Sequence, residues 1–378
     1  MTVAGLIFAN IHDACMPELT ARRTMASVPF GCRYRLIDFP LSNMVNSGIS
    51  KIGVIAHDNY QSLMDHIGTG KDWDLARRSG GIKILPPFIT SYTSSTAQRL
   101  YTTRLEALIG VTNFISKSTE DCIVLSDCDT ICNINLSDVI AQHDRTGADI
   151  TIVTREFEPS EKFRPEDVYS VSSDSDNVIT DISAYNANEY RSSEISTNIM
   201  VINRIYLLGL VNDAASRGYI DFYRDVLSKI LQRGTVYAYH YKGFFLKITS
   251  LESYFASSMK LLGEEARSGL TSVDGRPIHT KVRNSAPTLY KEGSKVVNSY
   301  VADGCEIEGV VENSIIFRGV KIGKGTVVRN SILLQDTFAG DNVQLNCVIA
   351  DKDVVIKDGR NLSGHTTMPF FVSKGTIV

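Results

Sequence analysis

The first apolar segment of the chain leads into a long loop and a helical stretch, in the sequence GLIFANIHDACMPELTARRTMASVPFGCRYRLIDFPLSNMVNSGI that begins at Gly5. A strand, loop and helix in this order are typical of segments that hold a nucleotide phosphate. Such a loop needs glycines, which let backbone N–H groups approach the phosphate, and cations that neutralise its charge. Next to the strand, however, this loop has Asn10, Ile11, Asp13 and Cys15. The segment therefore has the frame of a phosphate-binding unit without the residues that bind phosphate.

Residues 1–251 alternate short β-branched runs with amphipathic helical stretches. The runs are TVAGLIFA, KIGVIA, DCIVLS, ADITIVTR and TNIMVIN, and the helical stretches are LSNMVNSGI, RLEALIGVTNFI and FYRDVLSKILQRG. This alternation predicts βαβ units around a mostly parallel sheet, in which ligands bind at the carboxyl ends of the strands. We therefore predict an α/β, Rossmann-like domain over residues 1–251.

Residues 298–378 have a shorter period, with apolar residues at about every fifth or sixth position and Gly, Asn or Asp between them. A β-sandwich needs about 8 to 12 residues between turn signals, so this period favours a parallel β-helix of hexapeptide coils. Residues 252–297 are assigned to a helix and a linker. The repeating apolar residues are Val311, Ile316, Ile322, Val327, Ile332, Phe338, Val343, Val348 and Val354.

The composition predicts a soluble globular chain. It has 378 residues, of which 43% are hydrophobic, and a formal net charge of −3. Neither a secretory signal pattern nor an apolar run of about 18 residues is present, so we expect a cytoplasmic protein without a membrane partner. A sequence pI of about 6.2 and the lack of a basic stripe argue against nucleic acid as a partner.

The chain has seven cysteines, an odd number, and they are scattered along the sequence. This pattern favours reduced, buried thiols over a disulfide framework. Cys122, Cys128 and Cys132 are clustered on and just after an apolar strand, without the paired spacing or the histidines of a structural zinc site. This spacing favours core packing over metal binding.

Three longer segments occur in one order along the chain: VPFGCRYRLIDFPLSNMVNSGI, NYQSLMDHIGTGKDWDL and GCEIEGVVENSIIFRGVKIGKG. They closely resemble the ADP-glucose pyrophosphorylases (glucose-1-phosphate adenylyltransferases) of bacterial glycogen synthesis, and the resemblance runs over nearly the whole chain. It implies a nucleotidyltransferase domain of Rossmann type followed by a left-handed β-helix. It also implies descent from an enzyme that makes ADP-glucose and pyrophosphate from ATP and glucose 1-phosphate.

The nucleotide-binding positions of that family are changed in this chain. Active members have an AGGxGxRL loop and a downstream AKPA. Aligned from the shared PFG, the glycine positions fall on Asn10, Ile11 and Asp13, the arginine on Cys15 and the lysine on Met25. Asp13 would place a carboxylate beside the triphosphate. At a separation of about 5 Å and an effective dielectric of about 20, the Coulomb repulsion is on the order of 3 kcal/mol per phosphate charge. The resemblance therefore implies a loop unsuited to ATP.

The positions that hold the metal ion and the sugar phosphate are changed as well. The family binds Mg²⁺ with one aspartate of LSGDH and one of DVGT, and these positions fall on Cys128 and Lys247. Asp127 and Asp129 flank Cys128, so a one-residue shift could restore one ligand, although it would leave Lys247 in place. The lysine of the EKP motif, which grips the glucose phosphate, aligns with Tyr185.

This pattern resembles the D-type regulatory subunits of the family, which assemble with a catalytic C-type subunit. It implies a chain without catalytic residues or cofactor of its own, while Mg²⁺ is expected in the catalytic partner. A heterotetramer is the expected assembly, with self-association as a further possibility. A sugar phosphate or another anion is a candidate effector, since relatives receive such anions near the positions of Arg22, Arg23, Arg33 and Arg35.

Arg318 is a further candidate for anion binding, and all five arginines could equally form a solvated surface or intersubunit ion pairs. Two other functions compete with the regulatory one. An active sugar nucleotidyltransferase requires a rebuilt site around Asp127 or Asp129. A hexapeptide acyltransferase requires a catalytic histidine on the β-helix, and the candidate there is His365, beyond the last clear coil.

Overall fold

The structure is a computed structural model that describes residues 1–86, 101–156, 168–185, 194–233 and 235–378. Its N-terminal part contains a nine-stranded sheet and two small two-stranded sheets. The strands are β1 (Val3–Phe8), β2 (Pro29–Phe30), β3 (Tyr34–Arg35), β4 (Lys51–Ile55), β5 (Gly81–Leu85), β6 (Cys122–Asp127), β7 (Thr130–Cys132), β8 (Ile150–Glu156), β9 (Tyr169–Ser173), β10 (Ile179–Ala184), β11 (Glu194–Asn203), β12 (Val236–His240) and β13 (Phe245–Lys247).

Short helices connect these strands. Within the described residues, none is long and apolar enough to cross a membrane. Residues Phe222–Leu227 and Arg267–Thr271 form π-helical turns. The α-helices are α1 (Pro17–Thr20), α2 (Asp38–Asn46), α3 (Gln61–Ile67), α4 (Arg104–Gly110), α5 (Thr112–Lys117), α6 (Leu136–Thr146), α7 (Arg204–Arg217), α8 (Ser228–Ile230), α9 (Leu251–Lys260) and α10 (Glu264–Ala266).

The large sheet has the order β10-β9-β11-β6-β1-β4-β5, with β8 paired to both β11 and β12. Strands β6, β1, β4 and β5 run parallel, and β11 runs antiparallel to β6. Each predicted apolar run coincides with one of these strands, which confirms the predicted α/β class. In the β1–β6 register Phe8 lies opposite Asp127, so the loops after both strands meet at one edge of the sheet.

The C-terminal part is the predicted β-helix, with three sheets of five parallel strands that fit a left-handed hexapeptide coil. Its first strand begins at Leu289, inside the segment 252–297 that the sequence assigned to a helix and linker. The strands are β14 (Leu289–Tyr290), β15 (Lys295–Val297), β16 (Tyr300–Val301), β17 (Glu306–Ile307), β18 (Val310–Glu312), β19 (Ile315–Ile316), β20 (Lys321–Ile322), β21 (Val327–Arg329), β22 (Ile332–Leu333), β23 (Phe338–Ala339), β24 (Gln344–Asn346), β25 (Val348–Ala350), β26 (Val355–Ile356), β27 (Asn361–Ser363) and β28 (Phe370–Val372).

Most of the predicted repeat residues fill the β-helix core, but three do not, and one of them, Ile332, packs against the N-terminal domain while its neighbour Leu333 points inward. Phe338 is 42% exposed and Val327 is half-buried. Successive residues of a strand point to opposite faces, and the neighbours Ala339 and Val328 are the inward residues of those two strands. The predicted period is therefore confirmed, but the predicted inward residue is one position too early at Val327, Ile332 and Phe338.

The β-helix sheet made of β16, β19, β22, β25 and β28 packs against the N-terminal domain. Ile315, Ile332 and Ile349 from this sheet belong to one buried cluster with Phe30 and Tyr254. The predicted packing of Cys122, Cys128 and Cys132 in the core is confirmed, because all three are buried in the same cluster. A continuous apolar core therefore joins the two domains.

Candidate functional site

The loop after β1 is closed by its own side chains. The Asp13 carboxylate accepts a hydrogen bond from the backbone N–H of Met25 at 2.6 Å and another from Asn10 Nδ2 at 2.9 Å. Asn10 Oδ1 in turn accepts the backbone N–H of His57 at 2.8 Å. No residue from 10 to 15, all within the described chain, has the left-handed backbone that favours glycine. The Asp13 carboxylate thus ties the loop to Met25, the position that aligns with the family's lysine.

Asp127 is the last residue of β6 and is fully buried at the carboxyl edge of the sheet. His12, from the loop after β1, places Nε2 at 2.7 Å from Asp127 Oδ2 and at 3.4 Å from Asp129 Oδ2. Arg104, the first residue of α4, forms a buried ion pair with Asp127. Two cationic side chains therefore contact one carboxylate.

Lys247 reaches the second carboxylate through the short β7–β13 sheet. In that antiparallel register Lys247 lies opposite Thr130, which places it beside Asp129. Lys247 Nζ is 2.6 Å from Asp129 Oδ2, and neither side chain is exposed to solvent. The residue at the second metal-ligand position of the family is thus an ammonium bonded to the remaining aspartate.

The pKa values in this cluster favour ionised groups. Burial alone would lower the pKa of His12, but Asp129 and Asp127 outweigh it and raise that pKa to about 10. Burial would raise the pKa of Asp127, whereas Arg104 and His12 lower it to about 2. Burial raises the pKa of Cys128 well above its usual range, and the two neighbouring aspartates add to this effect. At neutral pH His12 is therefore protonated, and Cys128 is a neutral thiol.

His12, Asp127 and Asp129 each offer one atom that could bind a metal ion, a ring nitrogen or a carboxylate oxygen. These three atoms lie within 4.8 Å of one another, close enough to share an ion. The charges contradict that use. The Lys247 ammonium already bonds Asp129, and Arg104 and His12 already bond Asp127. Among the described residues, Asp127 Oδ1 has no hydrogen-bond partner, so one free ligand atom remains. The residues present therefore do not fit a Mg²⁺ ion.

Aromatic side chains fill the space beside this cluster. The ring of Tyr223 stacks on Tyr169 with centroids 3.9 Å apart, and its hydroxyl donates to Asn198 Oδ1 at 2.8 Å. The Arg104 guanidinium lies 5.4 Å from the Tyr223 ring centroid and 5.5 Å from that of Phe8. The guanidinium therefore gains cation–π contacts with both rings in addition to its ion pair with Asp127.

Among the other altered family positions, Cys15 contacts the cluster through a side-chain hydrogen bond with His12. Met25 and Tyr185 are buried apolar or aromatic side chains, and Cys15 is half-buried in the loop. Ile11 packs against the second apolar cluster of the sheet domain.

The five candidate anion-binding arginines are divided in the structure. Arg23 forms a buried bidentate pair with Asp351 of the β-helix, at 2.9 and 2.7 Å. Arg35 is buried and donates to the carbonyl and hydroxyl oxygens of Ser62, and Arg318 pairs with Asp303 at 2.9 Å. Arg22 and Arg33 are exposed.

Sequence reasoning assigned no role to His12, Arg104 or Tyr223. Each was hidden for the same reason: its importance depends on which side chain it meets after folding. The sequence did contain one signal for His12. It is an ionisable residue in the loop after β1, and this loop lies at the same edge of the sheet as the carboxylates that follow β6.

Comparison with known proteins agrees with this architecture. Residues 16–262 match the nucleotidyl transferase family model, and residues 286–377 match the GlmU-like C-terminal hexapeptide model. Over 366 residues the chain is 32% identical to the glucose-1-phosphate adenylyltransferase of Fervidobacterium nodosum, covering 96% of this chain and 86% of that protein. The chain belongs to the glucose-1-phosphate adenylyltransferase family.

Two further relatives are similar to this chain over most of its length. The glycogen biosynthesis protein GlgD of Bacillus subtilis (strain 168) is 32% identical over 375 residues, which cover 99% of this chain and 96% of that protein. The glucose-1-phosphate adenylyltransferase of Thermotoga sp. (strain RQ2) is 35% identical over 334 residues, or 87% of this chain and 76% of that protein. The family likeness thus extends from the sheet domain into the β-helix.

Proposed function

We propose that this chain is a regulatory, catalytically impaired subunit of a heteromeric ADP-glucose pyrophosphorylase in bacterial glycogen biosynthesis. It assembles with a catalytic subunit that makes ADP-glucose and pyrophosphate from ATP and glucose 1-phosphate. The similarity to a GlgD protein over nearly its whole length supports a role in this process.

One observation carries the proposal: the carboxylates at the metal edge are already neutralised by the chain's own cations. Lys247 bonds Asp129, while Arg104 and His12 bond Asp127. Nucleotidyl transfer depends on cations that stabilise the phosphate charge in the transition state. Cations held in buried ion pairs are not available for that purpose, and the carboxylates they bind are not available for Mg²⁺.

The closed loop after β1 supports the same conclusion independently. Its Asp13 carboxylate accepts the N–H of Met25 and presents negative charge where the family receives a triphosphate. Burial raises the pKa of Asp13 to about 6, so the group is mostly ionised at neutral pH. Losses of several such interactions together remove most of a rate enhancement, even when their effects are not additive.

Regulation follows from assembly. The apolar core joins the two domains into the scaffold that the family shares. In the proposed mechanism the chain docks to catalytic subunits and shifts their equilibrium between low- and high-activity states. The exposed Arg22 and Arg33 are the candidate contacts for an anionic effector, because the other three candidate arginines have partners.

The test is ADP-glucose synthesis from ATP, glucose 1-phosphate and Mg²⁺ by this chain alone, by a catalytic subunit alone, and by the two co-expressed. We expect negligible turnover by this chain alone, and a changed rate or effector response in the mixture. Turnover by the purified chain at an ordinary rate, on the order of 1 to 1000 per second, would contradict the proposal.

A second candidate is an active nucleotidyltransferase with a rebuilt site. It is favoured by the short distance between His12, Asp127 and Asp129 and by the unpartnered Asp127 Oδ1. Its signature is metal-dependent turnover by this chain alone that is lost in Asp127→Asn. A third candidate, the acyltransferase, gains nothing from His365, which lies between β27 and β28, is exposed and bonds Thr367.

A further inference from the structure

A polar cavity of about 680 Å³ lies at the opposite end of the sheet from the carboxylate cluster. It is lined by Lys51 and Gly81, the first residues of β4 and β5, and by Thr119 and Glu120, which precede β6. These three strands belong to the parallel part of the sheet, so the cavity lies at their amino ends. Asp127, by contrast, lies at the carboxyl end of β6. The cavity is therefore separate from the site described above.

The lining of this cavity is rich in positive charge. Four cationic side chains and one carboxylate line it, namely Lys51, Arg77, Arg78, Lys83 and Glu120. Glu120 Oε2 is 2.7 Å from Lys51 Nζ, so the one carboxylate neutralises one of the four cations. Three cations of the lining, Arg77, Arg78 and Lys83, remain after this pairing.

Two of those cations have no partner in the described part of the chain. Arg77 bonds Asp74, outside the lining, with Nη2 at 2.5 Å from the carboxylate. Arg78 and Lys83 are exposed and form no ion pair with any residue of the described ranges. Within the described ranges, therefore, neither charge is neutralised by an ion pair.

A glycine turn shapes the cavity wall. Gly80 and Gly81 have φ of +82° and +71°, a conformation that side chains disfavour. A Cβ on Gly81 would lie 2.6 Å from the carbonyl oxygen of Leu75, so only glycine lets the start of β5 pack against the segment that bears Arg77 and Arg78. The turn thus holds the arginine pair beside Lys83 on β5, with bare backbone between them.

We propose that this cavity binds a small phosphate-bearing anion. Guanidinium and ammonium groups around a concave wall suit phosphate oxygens, since arginine donates in a fork and lysine supplies a compact charge. An acidic peptide would need an extended surface, whereas the cations here line one open cavity of about 680 Å³. The inference does not depend on the proposed regulatory function, because no residue of the cavity belongs to the carboxylate cluster.

Calorimetric titration of the full chain with inorganic pyrophosphate tests the site. The double variant Arg78→Ala with Lys83→Ala removes the two unpaired cations, and we expect it to weaken binding about tenfold or more. The matched control is Lys324→Ala with Arg360→Ala, which also removes one lysine and one arginine, from exposed positions on the β-helix. The control should bind like the wild type, and raising the salt concentration should weaken binding in both.

Far-UV circular dichroism and urea unfolding establish that the variants fold. A crystal grown with inorganic pyrophosphate then locates the anion, and density between Arg78 and Lys83 would support the site. The proposal is overturned if the wild type does not bind, if the cavity variant binds as tightly as the control, or if the anion lies at Arg22 and Arg33 instead.

Discussion

Lys247 Nζ lies 2.6 Å from Asp129 Oδ2, with both side chains fully buried, at the edge of the sheet where this family holds its metal ion. The pair joins residues 118 positions apart in the chain. A buried ion pair of this kind holds a fixed geometry but contributes little net stability, because both charges lose their hydration. Its main consequence is functional: the aspartate has a permanent, covalently tethered counterion.

Removing the ammonium should strongly destabilise the chain. Lys247→Met leaves the Asp129 carboxylate buried without its bonded cation, and we expect a loss of about 3 to 5 kcal/mol in the free energy of unfolding. The double variant Lys247→Met with Asp129→Leu should recover most of that loss. Urea denaturation of the two variants measures both values.

Lys321→Met is the control for that experiment, since Lys321 pairs with Glu306 on the exposed face of the β-helix. It should leave the unfolding midpoint unchanged. Equal destabilisation in Lys247→Met and Lys321→Met would show that burial of the pair has no energetic effect.

Protonation of His12 should make stability depend on pH. Its pKa is about 10 in the folded chain and about 6.5 when unfolded, so the folded state binds more protons between these values. The contribution is fully present below about pH 6.5 and is lost as pH rises through 10. In His12→Gln this fall in stability with pH should disappear, as measured by urea denaturation between pH 6 and 10. An unchanged pH slope in the variant would contradict the assigned charge.

Lys352 should act in the opposite direction. Burial and the neighbouring Arg35 and Arg23 lower its pKa to about 7, so between about pH 7 and 10 the unfolded chain binds more protons than the folded one. Stability from this group therefore rises with pH across that interval. Lys352→Met should remove the rise and stabilise the chain at pH 6, where the wild type must bury a charge. A loss of stability at pH 6 would show that Lys352 is a net stabilising cation.

The Arg23–Asp351 pair should couple the two domains. Arg23→Ala leaves a buried carboxylate at the domain junction, and we expect a loss of about 3 to 5 kcal/mol. Trp73, the one tryptophan, reports on the N-terminal domain, while far-UV circular dichroism reports on the whole chain. The two unfolding curves should separate in Arg23→Ala and coincide in the wild type. They should also coincide in Arg329→Ala, which breaks an exposed pair with Glu312, and separation there would refute the coupling.

Much of the fold could be predicted from the sequence because it depends on local periodicity. The run DCIVLS is apolar throughout, and β6 is buried along its whole length. The β-helix follows from a repeat whose inward residue was predicted one position too early at Val327, Ile332 and Phe338. Such patterns predict the fold because the burial of each strand follows from the apolar pattern of its own residues.

The candidate site could be predicted only in part. Sequence comparison located Asp127, Asp129 and Lys247 and indicated that an ammonium stands near the metal position. It could not show that Lys247 bonds Asp129, because that contact depends on the pairing of β7 with β13. Nor could it show that Arg104 contacts Asp127, since residues 23 apart meet there through a helix start and a strand end.

The most direct test of the account is ADP-glucose synthesis by a heteromer whose catalytic subunit carries an inactivating Asp→Asn substitution at its metal site. All turnover would then have to come from this chain. The account predicts none, while the heteromer with an intact catalytic subunit is active and responds to this chain's presence. Metal-dependent turnover by the heteromer with the inactivated partner, abolished by Asp127→Asn in this chain, would contradict the account and would mean that the site catalyses the reaction.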